Sequence, residues 1–473
     1  MSLKKACPTG NLCGIICDRW GNLDIGEQKH KTMETGITKL SVAGFKSIAR
    51  EAALDIKPLT LLVGANSSGK SSFMQPVLLL KQTLAVPYDP GPLLLNGGNV
   101  KFTSFDQMLT LEESKSPKRE FSMSLESGWD KVTLFFSKNA GTITVSVQGG
   151  FFDGRISSDM NTEELVATIK KDGQHLGKGY LGEDIGDTGI QWAVVRQYCF
   201  LSIVSKNLGI PKHPGITYNL WRSDFFSKII ENVIHVPGLR GNPERIYQAA
   251  GFGPTFPGTF ENYTANVISD WEERKSDKLK QLCSQLIQLG LTSKISARRL
   301  NDVQIEVIVG RLPKNGRSKA DMVNIADVGV GVSQILPVLV ALLVAEPEQL
   351  VYLEQPEIHL HPRAQRALAD ILVAASNRGV KVVVETHSSM LLLAVQTLIA
   401  KQKIDHNNVA LHWFQRNKNG MTEVKTAELD DSGRFGEWPV DFGEVELEAE
   451  EEYVEVVSQK AFRQLGNAKG GRS

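Results

Sequence analysis

Cysteine is scarce: a chain of 473 residues has five, at Cys7, Cys13, Cys17, Cys199 and Cys283. Such a small, uneven set cannot be the disulfide framework of a secreted scaffold, and it predicts a protein kept in reducing cytoplasm. The spacings among the first three fit no paired zinc pattern, which leaves a loose arm over residues 1–36 as the expectation. Long apolar runs are also missing. The longest, Ile335 to Val344, is interrupted by Pro337 and closed by Glu346, well short of the roughly 20 residues that cross a bilayer. No charged stretch followed by a long apolar core opens the chain, so neither a membrane span nor an export signal is expected. Nor does either sign of charge dominate. The 53 Lys and Arg balance 53 Asp and Glu, which excludes a histone-like surface and confines any nucleic-acid contact to a local patch. No apolar a/d pattern lasts three or four heptads, so a long coiled-coil arm is excluded.

What is present is the composition of a globular protein, long enough for two or three domains or one large domain with an inserted lobe. Ile37, Leu40, Val42 and Phe45, then Ala53, Leu54 and Ile56, read as two strands leading into a third over Leu59 to Val63. Between Phe121 and Val147 apolar residues alternate with period two across Gly-containing turns, which predicts an antiparallel meander. From Trp192 to Val233 and from Ala265 to Leu289 the spacing loosens to three and four, which predicts helices. Val303, Ile305 and Val307 mark a later strand. Glutamates 444, 446, 448 and 450–452 make an acidic tail, either a solvated helix face or a contact for a partner.

The chemistry begins after the third strand. Gly64, Ala65, Asn66, Ser67, Ser68, Gly69, Lys70 and Ser71 form the P-loop pattern, followed by Ser72 and an apolar helix. Glycines at both ends let backbone amides turn toward phosphate oxygens, and the helix N-terminus adds partial positive charge. Lys70 is placed to bridge β- and γ-phosphates, and Ser71 to give its hydroxyl to Mg²⁺. The apolar run Leu350-Val-Tyr-Leu ends at Glu354, the pattern of a buried Walker B strand presenting a carboxylate to magnesium. Between these motifs stands Asp327-Val-Gly-Val-Gly331-Val-Ser333-Gln334, a Gly-rich turn opening an apolar helix. After them comes Val382-Val-Val-Glu-Thr386-His387-Ser.

In this order the motifs resemble those of ABC-superfamily ATPases, in the branch that includes RecF, SMC heads and OLD ATPases. The match covers roughly residues 37–110 and 320–415, and Leu353-Glu-Gln-Pro-Glu-Ile-His-Leu-His-Pro362 is similar to the OLD-like group. Val236-Pro-Gly-Leu-Arg-Gly-Asn-Pro-Glu-Arg245-Ile-Tyr and Gly433-Arg-Phe-Gly-Glu-Trp-Pro439 resemble small stand-alone members, with no mechanism attached.

The fold implied is α/β, an ABC-type P-loop head with a mixed sheet, an antiparallel β subdomain and an inserted helical lobe. Its expected division is 37–190 and 294–425 for the two head lobes, 191–293 for the helical lobe and 426–473 for the acidic tail. The resemblance implies ATP and Mg²⁺ as cofactors. It also implies a homodimer or higher homo-oligomer, in which Gly331, Ser333 and Gln334 of one head meet nucleotide held by the other. It makes His387 the switch histidine and places Gly44-Phe45-Lys46-Ser47 near the nucleotide, although Phe45 reads equally as core. Gln82 and Gln107 are both candidates for the Q-loop. His359 and His361 either pair on a metal or belong to the loop after Walker B.

One departure matters. Gln355 stands where such ATPases place the carboxylate that polarises water, and an amide cannot accept a proton. Turnover is then slow, or Glu357 takes over. The catalytic set expected is Glu354, Gln355, Glu357 and His387. The function implied is an ATPase that controls a separately encoded protein effector in prokaryotic anti-phage defence. The alternative is a RecF-like DNA-binding ATPase using Lys294, Arg298, Arg299, Arg311, Lys314, Arg317 and Lys319, a cluster that also reads as a solvated hairpin. A third possibility is an ATP-gated scaffold with negligible turnover.

Overall fold

Short runs of Val, Leu and Ile with no polar face make the central sheet, because both of its faces are covered. In the computed structural model Ile234–Val236, Leu350–Glu354, Lys381–Thr386, Leu59–Gly64 and Val409–Arg416 pair in parallel in that order. Thr422–Thr426 closes one edge antiparallel. The structure describes residues 36–111, 119–149, 152–172, 190–207, 217–218, 222–311 and 321–436, with Val454. The chain divides into Met1–Glu34 and Thr35–Ser473, and the described residues all belong to the larger unit. The expected N-terminal arm, save Gly36, and the acidic run lie outside the described residues.

Period-two alternation sends each strand's side chains into two cores. Leu61, Val63, Val351, Leu353, Val382 and Val384 enter one, shared with the helices Thr264–Glu273, Val330–Val344, Pro362–Asn377 and Ser389–Ala400. Leu62, Tyr352 and Val383 enter the other, beneath the helix Lys70–Leu84 that succeeds the P-loop. This second core continues into a six-stranded antiparallel sheet in the order Ala52–Asp55, Lys39–Ala43, Glu120–Ser127, Asp130–Asn139, Thr142–Gly149 and Phe152–Ser157. The meander lies at its centre. Phe45 is fully buried there, edge-on to Phe102 and Phe121, so it is a core residue.

The class is α/β, a P-loop head with a mixed sheet and an antiparallel β subdomain. The helical reading of 192–233 is corrected. Ile190–Gln197 and Phe200–Asn207 form a hairpin whose turn holds Tyr198 at φ 55°, and among the described residues of this segment only Ser223–Glu231 is helical. Trp192, Leu201 and Ile203 are buried, and the β-branched and aromatic content of the segment outweighs its loose helical spacing. Thr264–Glu273 and Asp277–Gln288 are helices as expected. Among the described residues no helix is long and apolar enough to cross a membrane.

Candidate functional site

The strand Leu59–Gly64 delivers the P-loop at the C-terminal edge of the parallel sheet, where open α/β sheets bind their ligands. Gly64 (φ 145°) and Gly69 (φ 111°) sit in conformations that L side chains avoid, and a Cβ on them would strike the Phe414 carbonyl and the Thr422 hydroxyl respectively. The hairpin of Val409–Arg416 and Thr422–Thr426 thus grips the outside of the loop. Arg416 Nε donates to Ser67 O at 2.8 Å and Thr422 Oγ1 to Ser68 O at 2.8 Å, while Ser47 O accepts from Thr422 N at 2.8 Å. Through that bond the Gly44–Ser47 turn braces the loop from behind. Ala65, Asn66 and Ser67 are exposed at the apex, and Ser72 is half-buried on the helix. Gly64→Ala is expected to cost at least about 2 kcal/mol of stability, from strain plus overlap, read as a lowered urea midpoint; an unchanged midpoint would contradict this packing.

Lys70 is buried and folds back over the loop, donating to Gly64 O and Ala65 O, each at 2.8 Å. Burial lowers its pKa to about 8, against the opposing pull of Glu385 and Glu357. A triphosphate beside it favours the charged form. Binding above pH 8 therefore takes up a proton, and affinity falls as pH rises past that value. Calorimetry in two buffers of different ionisation heat checks this; identical heats would contradict it.

Ser71 Oγ donates to Glu385 Oε1 at 2.9 Å, and Tyr352 OH donates to Glu385 Oε2 at 2.9 Å. The sequence reading misses Glu385 and expects Ser71 and Glu354 to share the metal. Glu354 holds His235 Nε2 at 3.1 Å and accepts from Gly238 N at 3.0 Å. Burial pushes the Glu354 carboxyl up, but the bond and charge of His235, with the Gly238 amide and the Arg240 charge, together outweigh it and leave the pKa lowered. A signal for Glu385 is present in the chain: Val382-Val-Val-Glu385 is a second apolar run ending in a carboxylate, and Glu385 lies directly beside Glu354 in the parallel register. Burial raises the Glu385 pKa, and the Glu354 charge adds to the rise.

Among the described residues no three His, Cys, Asp or Glu side chains could hold a metal by themselves. Mg²⁺ needs no such cage, since it takes one or two carboxylates with substrate phosphates and water. A hydroxyl and two adjacent carboxylates, Glu385 buried and Glu354 half-buried, fit it, because their mutual repulsion is relieved by a cation.

Glu357 is buried, and its Oε1 accepts from Thr386 Oγ1 at 2.6 Å and His387 N at 3.0 Å. Its Oε2 is buried without a partner. The His387 ring is half-buried beside the loop; burial and then Lys70 lower its pKa, against a bond to the Gly64 backbone. Gln355 sits at φ 43°, with its N–H donating to Glu385 O at 2.7 Å. These strand ends bring the P-loop, Glu385, Glu354, Glu357 and His387 together.

The structure places Gln334 differently from the sequence reading. Its side chain is buried and donates to the carbonyls of Arg240 and Gly241, both at 3.2 Å, so it does not face outward. Position 334 lies on the inner face of Val330–Val344, whereas Gly331 and Ser333 are beside exposed Gly329 and Val330. That helix has no acidic residue in its first turn and no side-chain cap.

The geometry is that of a P-loop nucleotide-binding site. Residues 191–394 match the family model described as "AAA domain, putative AbiEii toxin, Type IV TA system". Solved structures similar to the chain include an SMC head bound to the C-winged helix domain of ScpA, at 12% identity and TM-score 0.45, covering 84% of this chain and 99% of that one. The SMC head domain from Thermotoga maritima is similar at 14% identity and TM-score 0.39, over 83% and 99% of the two chains. A Pyrococcus furiosus-derived complex, an SMC head with an extended coiled coil and the C-terminal domain of ScpA, is similar at 12% and 0.39, over 83% and 96%. No curated protein matches.

Other expected residues have local partners. Gln82 is buried, donating to Leu94 O and accepting from Asn99 N and Val100 N, while Gln107 pairs with Thr103 at the surface. His361 Nδ1 caps the helix Pro362–Asn377 by accepting from Arg363 N. Arg298, Arg299 and Arg311 pair with Glu306, Glu273 and Asp321. Lys314, Arg317 and Lys319 lie outside the described residues.

Proposed function

We propose that the protein is a Mg²⁺- and ATP-dependent ATPase whose heads close in pairs around shared nucleotide, and that this closure controls a separately encoded protein effector in prokaryotic anti-phage defence. The observation that carries the reading is the meeting of Ser71, Glu385 and Glu354 beside a P-loop lysine at the C-terminal edge of the sheet.

Lys70 exchanges loop carbonyls for phosphate oxygens when nucleotide enters, and the amides of 65–70 take the remaining phosphate charge. Ser71 and Glu385, with Glu354 alongside, would hold Mg²⁺, which would supply neutralisation of the phosphate charge. Glu357 keeps one oxygen free to take the proton of the attacking water, the role Gln355 cannot fill, while Gln355 orients that water. His387 donates toward the terminal phosphate. The exposed, acid-free start of Val330–Val344, with Gly331 and Ser333, is suited to meet the phosphate held by a second copy. The family description names a toxin and a toxin–antitoxin system, which favours an effector-controlling role. The described arginines of the basic hairpin are matched by acids, so the DNA-binding alternative draws no support from them.

Light-scattering mass with and without Mg²⁺-ATP tests the reading. A nucleotide-dependent doubling is expected, and a mass that ignores nucleotide would contradict it. Glu385→Gln is expected to weaken the Mg²⁺ dependence of ATP binding about tenfold, while Mg²⁺-free ATP binding stays the same. Titration of ATP at graded Mg²⁺ checks this, and an unchanged Mg²⁺ requirement would remove Glu385 from the metal's surroundings.

A further inference from the structure

The segment Val236–Tyr247 stands out in the sequence without a mechanism, and the nucleotide site does not use its arginines. Arg240 is 8% exposed, and its guanidinium donates to main-chain carbonyls. Nε donates to Pro237 O at 2.9 Å, Nη1 to Gln334 O at 2.6 Å, and Nη2 to Glu354 O at 2.9 Å and Gln355 O at 3.1 Å. Gln334 returns the contact through its amide to Arg240 O and Gly241 O. Five residues on, Arg245 pairs with Asp327 at 2.5 Å, just ahead of the same helix, and Arg245 O accepts from Asn324 Nδ2 at 2.9 Å. Upstream, Gly238 N and His235 hold the Glu354 carboxylate. One loop therefore grips the start of Val330–Val344 with one hand and the end of Leu350–Glu354 with the other.

We infer that Arg240 is a positioning residue that couples the Ser333 helix of a head to the Glu354–Gln355 turn of the same head. Engagement of that helix by a second copy is thereby transmitted to the groups around magnesium and water. The inference rests on the proposed function, since it presupposes that Ser333 meets the partner's nucleotide. A guanidinium is the only side chain with five donors in one rigid plane, which lets it tie three segments at once. A lysine keeps the charge but not the fork, so Arg240→Lys isolates the geometry.

The test compares wild type, Arg240→Lys and Gln334→Met by thermal melting, ATP affinity in dilute monomer, nucleotide-dependent mass and turnover against protein concentration. For Arg240→Lys the expected result is ATP affinity within about threefold of wild type, with turnover at saturating ATP down at least about tenfold. The rise of turnover with protein concentration should be lost. Gln334→Met, which leaves the buried charge in place, should move the same readouts in the same direction by a smaller factor. Equal turnover and equal concentration dependence in all three proteins would overturn the inference while leaving the ATPase reading intact. A wild type that neither dimerises nor turns over would overturn both.

Discussion

Lys70→Ala should lower Mg²⁺-ATP affinity by at least about 100-fold, the loss of two charge-assisted phosphate bonds from a desolvated ammonium. The same ammonium holds Gly64 O and Ala65 O, so the loop loses internal bonds as well. Part of the effect is therefore loss of preorganisation. Lys70→Met separates the donor from the stem: it keeps the stem volume in a buried site but supplies no donor, and its affinity should match that of alanine. Fluorescent-nucleotide titration checks both variants. An affinity within a few-fold of wild type would mean that the loop cradles no phosphate.

Glu357→Gln should cut turnover by a factor on the order of 10² to 10⁴ with nearly unchanged ATP affinity, the range for removing a general base. The amide oxygen can still accept from Thr386 Oγ1 and His387 N, so the strand end keeps its bracing. What is lost is the basicity of the buried, unpartnered Oε2. The companion change Gln355→Glu should raise turnover, because it returns a carboxylate to the position after Glu354. Phosphate release at saturating ATP measures both. If Glu357→Gln turns over like wild type, the proton goes elsewhere.

Much of the nucleotide site is legible in the chain. Gly64, Gly69, Lys70 and Ser71 come after a strand and open a helix as their spacing requires. The apolar run before Glu354 lies in the sheet, buried on both faces. The hairpin at 190–207 escapes a reading by spacing because short apolar runs carry both periodicities, and pairing with a neighbouring strand decides between them. Glu385 escapes it for a different reason. Its importance comes from register, and register is a long-range fact: only the parallel pairing of Leu350–Glu354 with Lys381–Thr386 sets it beside Glu354, and only the fold brings Ser71 to it from 314 residues away. Gln334 and Arg240 share that limit. A glutamine at the start of a helix after a Gly-rich turn reads as a phosphate contact, yet the carbonyls of the 240–241 loop claim it.

The central claim is that one nucleotide is shared by the P-loop of one copy and the Ser333 helix of another. Ser333 is half-buried and its hydroxyl donates to Val330 O within its own helix, so arginine there obstructs the approach of a partner without emptying the core. Lys70→Ala and Ser333→Arg proteins should each remain monomeric and inactive in Mg²⁺-ATP. Mixed together, they should form dimers with one intact composite site and recover measurable turnover. A mixture as inactive as its components beside an active wild type, or a Ser333→Arg protein as active as wild type, would contradict the account.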